Sequence, residues 1–88
     1  MKSQGTEQFW VLYRQLPPEE KRRARHAYQL WRNNPRYNSL RFKRVNRRQP
    51  IYSIRVGDNY RALGLFEGDT VTWYWIGTHA DYDKLLGS

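Results

Sequence analysis

Pro35 divides this chain into two hydrophobic rhythms, and few small folds accommodate both. Before it, apolar residues recur at helical spacing: Phe9, Leu12, Tyr13 and Leu16, then Ala24, Ala27, Tyr28 and Trp31. After it the period drops to two. Leu40 and Phe42 alternate with Arg41 and Lys43, and Tyr52, Ile54 and Val56 alternate with Ser53 and Arg55. The longer period gives a helix one apolar stripe, and the shorter gives a strand one apolar face. Helices followed by strands predict an α+β fold, with the helices burying one face of a sheet.

The punctuation sets the expected boundaries. A first helix covers roughly residues 6 to 16 and stops at Pro17-Pro18. Pro18 suits the first turn of a second helix, with Glu19 and Glu20 at its positive end and Arg32 at its negative end. Asn33-Asn34-Pro35 closes this N-terminal helical hairpin. Gly57-Asp58-Asn59 and Glu67-Gly68-Asp69 are turn signals separating Tyr52–Val56, Tyr60–Phe66 and Thr70–Ile76. With Leu40–Lys43 these make an antiparallel sheet of about four strands, since short turns join antiparallel neighbours. His79 to about Leu86 reads as a short C-terminal helix, and Met1 to Gln8 shows no strand pattern.

Size and charge narrow the function. Eighty-eight residues predict one domain, 1–88, and exclude a two-domain enzyme with its own cofactor module. Mean hydropathy is −1.00, yet four Trp, seven Tyr and three Phe supply enough aromatic area for a packed core. Sixteen Lys and Arg against eight Asp and Glu give +8, which points to a polyanionic partner. There is no cysteine, and the two histidines lie far apart, so no metal site is expected and no cofactor is implied. No apolar run approaches the ~20 residues of a membrane span, and the N-terminus lacks a secretory pattern. Together with the absent cysteines, this makes the cytoplasm the expected compartment and no membrane the expected partner.

If the helices cover one sheet face, the other is free for chemistry. Ser53 and Arg55 fall on that free face, opposite Tyr52, Ile54 and Val56. Arg61 should reach solvent, a partner or an anion, because an unpaired buried arginine is costly. An ion pair from Arg61 to Asp58 or Asp69 is the structural alternative. Arg41, Lys43, Arg44, Arg47 and Arg48 place five cations within eight residues, suited to RNA phosphates or simply to a solvated edge. Trp73, Tyr74 and Trp75 could flank the face as stacking surfaces, with one or two of them expected in the core. His26 reads as solvated surface.

The segments Tyr52-Ser53-Ile54-Arg55-Val56-Gly57, Tyr60-Arg61-Ala62-Leu63-Gly64 and Trp73-Tyr74-Trp75-Ile76-Gly77-Thr78-His79-Ala80-Asp81-Tyr82-Asp83 resemble, in order and spacing, the RelE/ParE toxin superfamily. The likeness is closest to small RelE- and HigB-like toxins and spans roughly residues 8 to 86. It implies the toxin of a bacterial type II toxin–antitoxin system, partnered by an acidic antitoxin protein. RelE-like members are endoribonucleases, or mRNA interferases: they cut mRNA on the ribosome without metal and so inhibit translation. ParE-like relatives poison DNA gyrase instead, and a catalytically inactive, basic nucleic-acid-binding module is a third reading. The resemblance implies catalytic roles for Arg61, Arg55, His79 and Tyr82. It departs from the family at Ser53, where basic residues are usual, and at the N-terminus, where a strand is usual.

The residue types suit that chemistry independently. Metal-independent RNA cleavage uses the substrate's own 2′-OH as nucleophile. It needs a base, an acid and cations around the crowded phosphate. His79 can move a proton near neutral pH, while Arg55 and Arg61 offer fixed cationic forks. Tyr82, three residues after His79, shares its helix face and could stack on a base or donate a proton. Asp81 and Asp83 also serve as dipole partners at a helix start.

Overall fold

A computed structural model describes residues 1–87. The chain runs β1 (Lys2–Gly5), α1 (Glu7–Arg14), α2 (Pro18–Asn33), a 3₁₀ turn (Asn38–Leu40), β2 (Lys43–Arg44), β3 (Ile51–Val56), β4 (Tyr60–Glu67), β5 (Thr70–Thr78) and α3 (His79–Gly87). The strands form one mixed sheet in the order β1-β5-β4-β3-β2. The α+β architecture and the helical hairpin agree with the sequence pattern, and Thr6 caps α1 by accepting the Phe9 N–H at 3.1 Å.

Two expectations need correction. The sheet has five strands and is not wholly antiparallel, because β1 pairs parallel to β5 with Lys2 opposite Thr70 and Gly5 opposite Trp73. Lys-Ser-Gln-Gly has no apolar alternation to announce a strand. β1 is held instead by its backbone ladder, by Gln4 Nε2 donating to Thr72 Oγ1 at 3.1 Å, and by the Ser3 Oγ–Tyr28 Oη bond of 2.5 Å to α2. The expected strand over Leu40–Lys43 is also mostly absent. Leu40 ends the 3₁₀ turn, Arg41 is left-handed at φ 48°, and only Lys43 and Arg44 pair with β3. The αL residue breaks the extended run, so Leu40 and Phe42 enter the core from a bend.

The core lies between the hairpin and the sheet. Ala27, Trp31, Ile54, Val56, Ala62, Val71, Trp73 and Ile76 are buried there with Leu16 and Leu40. Trp31 meets Trp73 edge to face at 5.5 Å and Phe42 at 5.8 Å, a preferred aromatic geometry. Trp73 and Ile76 are three residues apart on one strand, so strict alternation would put them on opposite faces. A register shift opposite Leu63/Gly64 resolves this: Leu63 pairs with Trp75 and Gly64 with Trp73, which leaves Tyr74 as the extra residue. Gly64 is required at that point, because a Cβ there would lie 2.6 Å from Val71 Cγ1 and 2.8 Å from Trp73 Cε3.

Candidate active site on the second sheet face

Residues opposite one another on neighbouring strands share a face. Lys43 pairs with Ser53, Ser53 with Leu63, Leu63 with Trp75, and Arg55 with Arg61. Because Ile54, Val56 and Ala62 point into the core, this second set lies on the face turned away from the hairpin. That agrees with the expectation for Ser53 and Arg55, adds Lys43 to them, and decides the side of Arg61.

The face is not wholly free, however. Helix α3 folds across part of it. Tyr82 is 9% exposed, and its hydroxyl donates to Ser53 Oγ at 3.1 Å, so Ser53 is 2% exposed despite pointing away from the hairpin. Ser53 thus serves as the acceptor that seats α3. Tyr82 is an anchor with its ring packed down, which leaves no open face for stacking on a base.

Helix α3 begins where two hydrogen bonds meet. The Asp81 N–H donates to Thr78 Oγ1 at 3.1 Å, a side-chain cap that the Thr78-x-x-Asp81 spacing signals in sequence. The His79 N–H donates to the Asn59 carbonyl at 2.7 Å, tying the helix to the β3–β4 turn. No sequence pattern announces Asn59, because it acts through its backbone. On the first turn, His79 Nδ1 lies 2.9 Å from Asp83 Oδ2, and the imidazole meets the Tyr82 ring edge-on at 5.9 Å.

Arg61 is half-buried beside this helix. Its guanidinium donates to the Tyr60 carbonyl at 2.8 Å and has no carboxylate within ion-pair distance among the described residues. The alternative ion pairs are absent: Asp58 binds Arg55 at 2.7 Å, and the Asp69 carboxylate accepts from Thr70. Burial lowers the Arg61 pKa from its ordinary value. The neighbouring Arg55 and Arg41 charges push the same way, against Tyr82 and Asp83. Arg55 is less free, since its Nε also donates to the Gly57 carbonyl at 3.1 Å.

The five cations of the basic cluster do not act alike. Arg44 is folded onto its own loop, donating to the Asn46 and Arg47 carbonyls at 2.8 and 3.3 Å. Arg41, Lys43, Arg47 and Arg48 are exposed and make no ion pair among the described residues. Trp73 belongs to the core, while Tyr74 and Trp75 are half-buried. His26 is exposed on α2, as expected. A concavity of about 360 Å³ between hairpin and sheet is apolar, lined by Trp10, Tyr13, Tyr28 and Trp73 among others, on the side of the sheet opposite the cationic face. Among the described residues no cluster of His, Cys, Asp or Glu could hold a metal ion, and no helix is long and apolar enough to cross a membrane.

Comparisons with known proteins bear on the family and the fold. A ParE-like toxin domain model matches residues 19–84. The toxin-like fold of a RelB–RelE antitoxin–toxin complex from Methanococcus jannaschii superimposes with a TM-score of 0.72 at 21% identity, covering 92% of this chain and 95% of that one. A copper-bound mutant toxin from Helicobacter pylori superimposes with a TM-score of 0.61 at 11% identity, covering 92% and 97%. No curated protein matches the sequence.

Proposed function

The chain belongs to the ParE-like toxin domain family, within the RelE/ParE superfamily of type II toxin–antitoxin toxins, and from that premise we propose that it acts as a ribosome-dependent mRNA endonuclease needing no metal. The observation that carries this reading is Arg61: a half-buried cation without a carboxylate partner among the described residues, on the same face as a helix-borne histidine. Keeping a desolvated arginine unpaired is costly unless an anion visits it.

In this reading the mRNA 2′-oxygen attacks the adjacent phosphorus. The P–O5′ bond then breaks, leaving a 2′,3′-cyclic phosphate and a 5′-hydroxyl. His79 exchanges a proton with the 2′-oxygen or the departing 5′-oxygen, and solvent or the ribosome supplies the other transfer. Arg61 stabilises the charge gathering on the non-bridging oxygens. Arg55, braced by Asp58, adds positive potential, and Tyr82 positions α3 rather than touching substrate. Arg41, Lys43, Arg47 and Arg48 draw in ribosomal and messenger RNA. The +8 charge calls for an acidic antitoxin that covers this face and folds on binding in the cytoplasm.

Because the matching family model is ParE-like, gyrase is the second target to test. Inducible expression in bacteria, with 5′-end mapping of cellular mRNA beside a gyrase supercoiling assay, separates the two. Growth arrest with discrete mRNA cuts within reading frames supports the endonuclease. Arrest with cleaved DNA and intact mRNA replaces it with gyrase poisoning, and no arrest removes both.

A further inference from the structure

We propose that Trp75 is a base-stacking residue of the cationic face: its indole takes an RNA base beside the phosphate held by Arg61. The proposal rests on the endonuclease reading above and adds to it how the RNA is held.

The pairing of β4 with β5 puts the indole there. After the slip at Tyr74, Leu63 pairs with Trp75, Ala62 with Ile76 and Arg61 with Gly77. Ala62 and Ile76 are core residues, so Trp75 and Gly77 belong to the opposite face, with Arg61. Gly77 then decides where the ring lies along the strand. A Cβ at that position would come within 2.5 Å of Trp75 Cζ2 and 2.8 Å of Cη2, so the six-membered ring occupies the space that any side chain at 77 would need. Gly77 is also the direct cross-strand neighbour of Arg61, where partners stand about 4.5–5.5 Å apart. The ring therefore extends along β5 to lie next to Arg61.

That ring is part-open. Among the described residues no aromatic ring packs on the Trp75 indole, no arginine caps it, and its Nε1 has no hydrogen-bond partner. Trp31 and Trp73 bury their indole N–H groups in the core, whereas the half-buried Trp75 keeps its own in contact with solvent. Tyr82 seats α3 without a ring contact to the indole; the ring it meets is His79. A part-open indole beside a guanidinium without a carboxylate suits single-stranded RNA, with the phosphate on the cation and the splayed-out base on the π-face. The Arg55 and Arg41 charges act on the same spot, which favours a polyanion over an apolar peptide. Stacking uses a surface that every base has, so this contact positions the RNA and leaves sequence choice to other groups.

The first test needs no cleavage. ¹H–¹⁵N spectra of the indole groups in ¹⁵N-labelled protein are recorded with a 2′-O-methyl RNA hexamer, which has no free nucleophile, and with an abasic chain carrying the same phosphates. The Trp75 signal should move with the hexamer and far less with the abasic chain. Trp31 and Trp73 in the core and Trp10 on α1 are internal references that stay in place. Trp75→Leu should weaken hexamer binding about 5- to 150-fold, the range for one stacked base, and leave abasic binding unchanged. Trp75→Phe keeps a π-face and should recover much of the loss. Gly77→Ala retains the indole but displaces it from beside Arg61, without a left-handed backbone to strain, and should lose the base-dependent affinity as Trp75→Leu does. Single-turnover cleavage on programmed ribosomes should fall by a similar factor in both. A Trp75 signal indifferent to the bases, or native hexamer affinity in Trp75→Leu, overturns the proposal. Base-dependent binding through Trp75 in a protein that cuts no mRNA leaves the stacking site standing and removes the endonuclease reading instead. Discrete mRNA cuts by a protein whose Trp75 ignores the bases do the reverse.

Discussion

The Tyr82 hydroxyl donates to Ser53 Oγ at 3.1 Å, joining two buried side chains 29 residues apart. This is the polar bond by which the C-terminal helix is seated on the strand face that carries Arg55 and Arg61. Tyr82→Phe leaves Ser53 Oγ buried without its donor, which costs about 1–3 kcal/mol. Tyr82→Ala also removes the ring, at roughly 3–5 kcal/mol. Urea denaturation measures both, and amide exchange should show α3 losing protection ahead of the sheet. In a Tyr82→Phe/Ser53→Ala double mutant the losses should be less than additive, because the two groups share one bond.

Arg61 should separate stability from activity. Arg61→Ala removes a partly desolvated cation that has no carboxylate partner among the described residues, so the urea midpoint should hold or rise. Single-turnover cleavage should fall ~10²–10³-fold, the usual loss for one preorganised charge contact. Arg61→Lys should recover only part, since an ammonium lacks the planar fork. A large drop in stability would show that Arg61 is structural.

His79→Ala should reduce cleavage roughly 10²–10⁴-fold, the range for losing a positioned proton donor or acceptor. Ribosome binding should survive, because the exposed cations of the β2 region supply the salt-dependent attraction. Single-turnover cleavage and ribosome pelleting across a salt series check the two halves separately.

Two glycines should respond very differently to alanine. At Gly64 the new methyl meets Val71 and Trp73 in the core, and overpacking of this kind costs typically about 1–3 kcal/mol. At Gly68 nothing lies within 4 Å, but φ is +61°, so the left-handed backbone alone costs roughly 1 kcal/mol. Thermal melts of the two variants should rank accordingly, with near-ultraviolet dichroism disturbed only by Gly64→Ala, through Trp73.

Tyr74 makes the fold sensitive to alkali. Burial raises its pKa above the ordinary 10.0, so the unfolded chain loses that proton at lower pH than the folded one. The resulting stability is intact below pH 10 and is lost as pH rises through the folded value. Urea midpoints should therefore decline more steeply above pH 10 in the native protein than in Tyr74→Phe.

The order of elements, the helical hairpin and the three long strands were legible because each depends on neighbours in the chain. Apolar spacing, proline stops and glycine turns act within a few residues. The residue types suited to RNA chemistry were legible too, since an arginine or a histidine carries its chemistry wherever it lies. Tertiary structure decided whatever depends on partners distant in sequence. β1 is polar and exists because β5 offers it a ladder. Ser53 reads as a solvent-facing alternate, yet α3 lands on it and buries it. Tyr82 reads as a residue that could meet substrate, and the same docking turns its hydroxyl inward. Trp73 and Ile76 share the core only because the pairing of β4 with β5 slips by one residue. Arg61 had two candidate carboxylates nearby in sequence, and folding gave Asp58 to Arg55 and Asp69 to a turn. The period of a strand fixes which residues share a face. Only the packing of other elements onto that face determines which of them meet water, a neighbour or a substrate.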